Sequence, residues 1–589
     1  MDNDKNYLVC QSILNGARLV IQNKEELNSI NVFPVADGDT GSNLSSLMQS
    51  IINNVSIKTD SIKEVLENLS SAALIGARGN SGLIFAQYFS ALSENYSDGN
   101  YMQMFQRALI NAYESVSQPQ EGTILSAIKV WTTVLEKEYA LTNSFSHSLI
   151  VAQEATQKAV LDTQYQLPIL KKNKLVDSGA KGFYYFIKGF TETYCSQDVN
   201  KTDLIDVNMT NTYTQHENRF TEKPELRYCS EFIINRLNIS RDDLKKLLLD
   251  EGDSLIVVGN STQTKVHLHT NDPKKILQIL QKFGQINYHK VDDMLIQYLA
   301  TKHRKTSIAI VTDSIADISK SYIQENQIHC IPMNIISTRE NFLDKITLDS
   351  GDIREKINRG DSFSTSQPSI QTVDSLLSFL ENKYDHVLVL TVSAELSGTY
   401  QLISQRIKEN QYSSDWIQII DTKKNSVAQG LLVEAAVELA KSDIDFTELV
   451  RKIKEIRSKT FIYVSVPDLT PMIKSGRVPK LLGKITQTVS VVPIVGLDTL
   501  GKGKLVGVRF NQEQSLNAIM KKIKKLVKED NLEKIVVAHV DNIKKANLIA
   551  KKVKELTNKP CDVLESSAAI AISAGIGSIA IAGIRKREI

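Results

Sequence analysis

Apolar residues recur at helical spacing through the first third of the chain. Tyr7, Ile13, Leu14, Ala17, Leu19, Val20 and Ile21 lie near a 3.6-residue repeat, and like patterns return at 44–55, 61–75, 82–93, 101–116 and 123–138. Such spacing gathers one apolar stripe on each helix. β-branched alternation is scarce, so residues 1–197 predict an all-α antiparallel helical bundle or barrel. Residues 198–225 are polar and mixed, with many Asp, Asn and Thr and few apolar residues, which predicts a linker. At 226 the period changes. Tyr228–Ile234 and Asp253–Gly259 predict strands, 240–250 and 273–283 predict helices, and Lys265–Thr270 alternates with period two as a half-buried strand. Residues 226–300 therefore predict a small α+β domain, followed by a short basic joint at 301–306. From 306 to 589 the pattern is α/β. Buried strands at 308–312, 387–392 and 417–420 each end in polar or small residues. Ligands of open α/β sheets bind beyond such strand ends.

A chain of 589 residues is too long for one core, and roughly three or four domains are expected. Its 42% apolar and 23% charged residues and net charge of +3 are ordinary. No clustered basic face argues for nucleic acid. The five cysteines, Cys10, Cys195, Cys229, Cys330 and Cys561, are scattered and odd in number. They form no disulfide framework and suit a reducing cytoplasm. Met1–Lys5 lacks the basic and apolar regions of a signal peptide. The most apolar run, Ser566–Ile584, is broken by Ser573, Gly575, Gly577, Ser578 and Gly583. It predicts a buried glycine-rich turn and helix and not a membrane span, so any membrane contact is peripheral.

Four polar motifs interrupt the helical part. Asn31-Val32-Phe33-Pro34-Val35-Ala36-Asp37-Gly38-Asp39-Thr40-Gly41-Ser42-Asn43 sets two carboxylates one glycine apart. Magnesium takes such oxygen ligands and shares them with phosphates. A solvated Asx turn has the same residues. Gly76-Ala77-Arg78-Gly79-Asn80-Ser81-Gly82 predicts a loop that presents amides, a hydroxyl and a guanidinium to phosphate. It lacks the Gly-Lys-Ser/Thr ending of a P-loop. Glu121-Gly122-Thr123-Ile124-Leu125 and Val176-Asp177-Ser178-Gly179-Ala180-Lys181-Gly182 complete the set.

In this order and spacing the four motifs resemble the nucleotide-binding subunit of the dihydroxyacetone kinase family, and more closely the N-terminal domain of bacterial fatty acid kinase, over about residues 5–195. The resemblance implies a helical barrel that holds ATP and a pair of magnesium ions at one end. It implies Asp37 and Asp39 as magnesium ligands with help from Asn31. Thr40, Gly41, Ser42, Asn43, Arg78, Gly79, Asn80 and Ser81 would line the phosphates, with Thr123, Leu125 and Asp177 nearer the nucleoside.

His267 and His269 are two apart on one predicted strand and share a face, and Cys229 lies on another strand that can run alongside. One thiolate and two imidazoles suit zinc. Two satisfied histidines and a buried cysteine fit the spacing as well. This segment, with Gly252-Asp253-Ser254 and Val266-His267-Leu268-His269-Thr270-Asn271-Asp272-Pro273, resembles the middle domain of fatty acid kinase, which implies a zinc site.

From about Ser307 onward the chain resembles the DegV family of fatty-acid-binding proteins. The matching residues are Val311-Thr312-Asp313-Ser314, Ser364-Thr365-Ser366-Gln367-Pro368-Ser369, Leu396-Ser397-Gly398-Thr399-Tyr400-Gln401, Lys474-Ser475-Gly476-Arg477-Val478 and Val508-Arg509. The resemblance implies a two-lobed α/β domain in which Thr365, Ser366, Ser397 and Gly398 meet a fatty acid carboxylate. Arg477 and Arg509 would lie near the mouth, within reach of phosphate. Each arginine also reads as a surface ion pair. The stretch Ile570–Gly577, read as a strand and loop, departs from the family: Ser573 stands where histidine is usual and Ile576 where proline is usual, so either Ser573 takes over that histidine's contact with the carboxylate or the site has another affinity or ligand.

Together these resemblances imply a cytoplasmic fatty acid kinase fused to its own lipid binder, making acyl phosphate from ATP for phospholipid synthesis. They imply a homodimer and acyl-phosphate-using acyltransferases as partners. Two other readings stay open: a non-catalytic lipid carrier that senses ATP, and a different small-molecule kinase of the dihydroxyacetone kinase type.

Overall fold

The stripes of the first third form helices α1 (Asp2–Gln22), α2 (Lys24–Ser29), α3 (Thr40–Asn54), α4 (Ile62–Gly76), α5 (Gly79–Glu94), α6 (Tyr101–Ser115), α7 (Ile124–Thr142), α8 (Phe145–Gln166), α9 (Pro168–Asn173) and α10 (Ser178–Cys195). They belong to a computed structural model that describes residues 2–33, 40–55, 61–97, 100–116, 119–196, 223–260, 262–338, 340–381, 383–442, 444–477 and 491–587. The chain divides into two units, Met1–Thr301 and Lys302–Ile589. Most of the expected linker, residues 197–222, lies outside the described residues.

In the first unit α1 packs on α3, α3 on α4, and so on through α5, α6, α7, α8 and α10, which returns to α1. The ring closes around one core. Phe85 is fully buried there, with the rings of Phe89, Phe183 and Phe186 centred 4.7–5.3 Å away. Burying one such side chain contributes about 1.5–3 kcal/mol. Alternate members of the ring, α3, α5, α7 and α10, begin at the four polar motifs. The expected loop at 76–82 is only Ala77–Arg78, because Gly79, Asn80 and Ser81 already form the first turn of α5.

The middle region is an antiparallel sheet of β1 (Tyr228–Asn235), β2 (Asp253–Gly259), β3 (Gln263–Thr270) and β4 (Gln285–Asp293), in the order β2–β3–β1–β4. Helices α11 (Arg241–Leu248) and α12 (Pro273–Leu280) flank it, and α13 (Met294–Lys302) follows β4. Strand β4 and helix α13 were not expected. The last two residues of the helix, Thr301 and Lys302, were read as part of a joint. A second correction concerns β3, which is not half-buried. Its polar side holds Lys265 and His267 at 1% and 4% exposure, because β2 and β3 pack against α4 and α5.

The second unit has two lobes. One carries the parallel sheet of β5 (Ile308–Asp313), β6 (His329–Ile331), β10 (His386–Thr391) and β11 (Ile417–Asp421), ordered β11–β10–β5–β6, beside the small antiparallel sheet of β7 (Asn334–Ser337), β8 (Asn341–Leu343) and β9 (Phe363–Ser366). The other carries β12 (Thr460–Ser465), β13 (Val492–Leu497), β14 (Gly503–Arg509), β15 (Lys534–His539), β16 (Asp562–Glu565) and β17 (Ile579–Ile584), ordered β14–β13–β12–β17–β15–β16. Helix Ser426–Ala440 packs against strands of both sheets. It is buried on nearly every side, through Val427, Ala428, Leu431, Leu432, Val433, Ala436 and Val437. The Ser566–Ile584 run is buried, but it is a helix (Ala568–Ala574) followed by β17, so the strand-and-loop reading of 570–577 is corrected. Gly575, at φ 86°, ends that helix. Among the described residues no helix is long and apolar enough to cross a membrane.

Candidate functional site

The four polar motifs meet at helix N-termini. The first amides of a helix lack intrahelical partners and carry the positive end of its dipole, so converging N-termini form an anion cradle. Contacts bring them together pairwise. A Cβ on Gly79, whose φ is +60°, would lie 2.5 Å from Asn43 Nδ2 in α3. A Cβ on Gly179 in α10 would lie 2.4 Å from Ser81 Oγ in α5. Only glycine permits both approaches. Asp177 caps α10 by accepting from the Ala180 amide at 2.7 Å, and it also accepts from the Ile124 amide at the start of α7. Burial pushes its carboxyl up to about 7 against those amides.

Asn28 fixes the start of α3. Its Oδ1 accepts from the Ser42 amide at 3.0 Å, and its Nδ2 donates to Ser42 Oγ at 3.1 Å. A Cβ on Gly41 would lie 2.1 Å from the Lys24 carbonyl oxygen. Asn31 is buried, and its Oδ1 accepts from Thr40 Oγ1 at 2.7 Å. That bond ties together the two ends of the segment bearing Asp37 and Asp39. Both aspartates lie outside the described residues. Asn31 and Thr40 supply further oxygen atoms, and carboxylate and amide oxygens are the donors magnesium takes.

Not every nominated side chain faces this cradle. Thr123 caps α7 by accepting from the Leu125 amide at 3.4 Å, and Leu125 is 1% exposed in the core. Asn28 was not singled out from sequence, although its place three residues before Asn31 was available.

In the middle sheet Cys229 pairs with His269 across β1 and β3, and Glu231 pairs with His267. The ligand atoms of Cys229, His267 and His269 all lie within 4.8 Å of one another. Cys229 Sγ is 4.0 Å from His267 Nδ1. Asp253 Oδ1 holds His269 Nδ1 at 2.8 Å, which leaves Nε2 available. Burial would raise the Cys229 thiol, but His267 and His269 outweigh it and bring it down to about 7. A thiolate, two imidazoles and an outer carboxylate on one imidazole fit the donor chemistry of zinc.

In the second unit a cavity is lined by apolar side chains such as Ile462, Val464, Val495, Ile570 and Ala580, with Arg477, Asn425, Ser426, Ser566, Ser573 and Ser578 as polar members. An apolar lining with a few polar groups is the chemistry that an amphiphile meets. Arg477 Nη2 donates to Thr365 Oγ1 at 2.9 Å. Burial lowers the guanidinium's pKa, and no carboxylate among the described residues offsets that. A Cβ on Gly398 would lie 2.0 Å from Gln367 Nε2, so the Ser397-Gly398 turn lies directly on the Thr365-Ser366-Gln367 segment. Ser397 Oγ lies 2.9 Å from Thr399 Oγ1. Thr365 and Ser397 do not themselves line the cavity; Arg477 links Thr365 to it. Ser573 lines the cavity, and its hydroxyl donates to the Ala569 carbonyl at 2.9 Å, inside its own helix. Arg509 is exposed and donates to the Val508 carbonyl at 2.6 Å.

Buried aspartates brace the cavity helix and the parallel sheet. Asp344 accepts from the Ala569 amide at 3.1 Å and from Ser314 Oγ at 2.6 Å. Asp313 accepts from the Val392 amide at 2.7 Å and so ties the ends of β5 and β10. Burial pushes both carboxyls up to about 6.

Comparison with known proteins divides the chain in three. Residues 34–192 match the DAK2 domain, 225–301 match the FakA-like middle domain of fatty acid kinases, and 307–586 match the uncharacterised DegV family. Protein YloV of Bacillus subtilis is 31% identical over 348 residues, covering 53% of this chain and 62% of that protein. An uncharacterised protein of Staphylococcus epidermidis is 29% identical over 344 residues, covering 53% and 61%. The chain thus spans less than two thirds of the length of these relatives. Among solved structures, DegV of Bacillus subtilis, a fatty acid binding protein, is 23% identical, with a TM-score of 0.44 over 48% of this chain and 100% of that one. A fatty acid binding DegV family protein of Streptococcus agalactiae is 25% identical, also at 0.44, over 48% and 99%.

Proposed function

We propose that this chain, which joins a DAK2 domain, a FakA-like middle domain and a DegV-family domain in one polypeptide, is a fatty acid kinase that carries its own lipid-binding module. The observation that carries the reading is the convergence of α3, α5, α7 and α10 N-termini through Asn43–Gly79, Ser81–Gly179 and Asp177–Ile124.

The acceptor is a carboxylate with an ordinary pKa of about 4–5, already ionised at neutral pH, so no general base is needed. One carboxylate oxygen forms a bond to the γ-phosphorus, and the bond from that phosphorus to the β,γ-bridging oxygen breaks. ADP leaves with the electron pair. The obstacle is repulsion between two anions. Amides at the starts of α3, α5 and α10 hold the phosphates, and Arg78 stands beside them. Asp37 and Asp39, with Asn31 nearby, would hold magnesium, which would supply charge neutralisation. Arg477, braced by Thr365, holds the lipid carboxylate at the cavity, with Ser397, Ser366 and Gly398 shaping the adjoining turn and Arg509 outside it. Cys229, His267 and His269 would hold zinc as a structural ion of the middle sheet.

Acyl phosphate is a mixed anhydride, and the reactions that consume it are acyl transfers. Fusion of kinase and lipid binder raises their mutual concentration, to about millimolar for a short flexible link. In a homodimer the same fusion permits transfer between chains. The decisive experiment incubates delipidated protein with MgATP, a fatty acid and hydroxylamine. Stoichiometric ADP and acyl hydroxamate support the reading. Binding of both ligands without either product identifies a lipid carrier that senses ATP.

A further inference from the structure

The proposed reaction makes no use of the buried charges on the middle sheet. Lys265 is 1% exposed on β3. Its ammonium pairs with Glu231 Oε2 at 3.1 Å and donates a second, short hydrogen bond to the Ala77 carbonyl. Ala77 is the C-cap of α4, and the next residue is Arg78, the N-cap of α5. Glu231 is also 3.6 Å from His267 Nδ1. One run of contacts therefore leads from the Cys/His cluster through Glu231 and Lys265 to the turn that places Gly79, Asn80 and Ser81.

This arrangement is expensive. Burial disfavours the Lys265 ammonium, Glu231 restores part of the loss, and Arg78 and Lys290 repel it. A lysine that only neutralised Glu231 would have no need to reach a main-chain carbonyl on another element. We infer that Lys265 is a positioning residue: it anchors the Ala77 carbonyl and so holds Arg78 and the N-terminal amides of α5 in the phosphate cradle. The inference rests on reading that cradle as the MgATP site. It gives the middle sheet a part in nucleotide binding besides metal binding.

A test must separate anchoring from charge balance. Removing both partners, as Glu231→Gln with Lys265→Met, leaves no lone buried charge and is compatible with folding. The full chain carrying the pair is titrated with MgATP in the absence of lipid, and amide exchange is followed at residues 78–82. Anchoring predicts MgATP binding weaker on the order of tenfold, the scale of one hydrogen bond from a charged donor. It also predicts faster exchange at 78–82 and unchanged fatty acid binding. In turnover, KM for ATP rises while kcat at saturating ATP holds within about twofold, as for lost ground-state binding. Wild-type MgATP affinity and exchange in the double variant, beside a defect in Lys265→Met alone, would overturn the inference and leave Lys265 as a counter-ion. The exchange measurement needs no nucleotide. If the parent chain fails to bind MgATP, the kinase reading falls, and unchanged exchange in the double variant then overturns the anchor separately.

Discussion

Gly79→Ala isolates the cradle in one atom. The native φ of +60° costs an L-residue roughly 1–2 kcal/mol, and the new methyl would sit 2.5 Å from Asn43 Nδ2 and 3.3 Å from Asn43 Cγ. Ordinary contact needs about 3.5–4 Å. The Asn43 amide must therefore swing by an ångström or more, or the first turn of α5 must shift. Neither movement unfolds the domain, because a cost of about 1–3 kcal/mol is a fraction of a typical stability of about 5–15 kcal/mol. Both spoil the register of amides at the starts of α3 and α5. MgATP affinity is expected to fall by roughly tenfold or more, the equivalent of about 1.4 kcal/mol, with a melting temperature lowered by a few degrees. Gly82→Ala is the control. Its added methyl would meet nothing closer than 3.9 Å, and alanine in a helix interior is favoured over glycine by about 0.8–1 kcal/mol. Calorimetric titration of MgATP into both variants decides the matter. Equal affinities would refute the view that the Gly79–Asn43 contact shapes a nucleotide site.

Two further predictions concern the second unit. Arg477→Gln removes the charged donor to Thr365 Oγ1, and fatty acid binding to delipidated protein should weaken by roughly tenfold, with MgATP affinity unchanged; undiminished lipid affinity would contradict the assignment. Asp313 and Asp344 keep their protons up to about pH 6 in the fold, against an ordinary value of about 3.9. The stability this gives is complete below pH ~4 and is lost as pH rises through ~6. Asp344→Asn mimics the neutral acid, so it should gain stability relative to the parent as pH rises from about 4.5 to 7.5, by up to roughly 3 kcal/mol. Chemical denaturation across that range checks the sign, and a loss with rising pH would contradict it.

The helical ring and the parallel strands were legible because their periods are carried by apolar residues, as at Leu44, Leu47, Met48 and Ile51 in α3. The middle sheet was less legible for a physical reason. Its inward face carries Glu231, Lys265 and His267, which satisfy one another out of water, and Lys290, which pairs with Asp292. In β4 the residues that alternate toward this cluster include Lys290 and Asp292, so the strand looks like a polar loop. The strand Lys265–Thr270 read as half-buried for the same reason. Motif residues were found by spacing, but spacing gives no side-chain partner. Asn28, Asp344 and the Ala77 carbonyl emerge only when separate elements are brought together. Ser573 shows the reverse case: its departure from the family pattern was visible in sequence, whereas its bond to Ala569 was not.

The most direct test of the central claim measures acyl phosphate itself. Delipidated full-length protein with MgATP and a long-chain fatty acid, trapped with hydroxylamine, should give acyl hydroxamate and ADP in equal amounts. Asp37→Ala with Asp39→Ala should abolish both products while lipid stays bound. Acyl hydroxamate formed at the parent rate by that double variant would contradict the account.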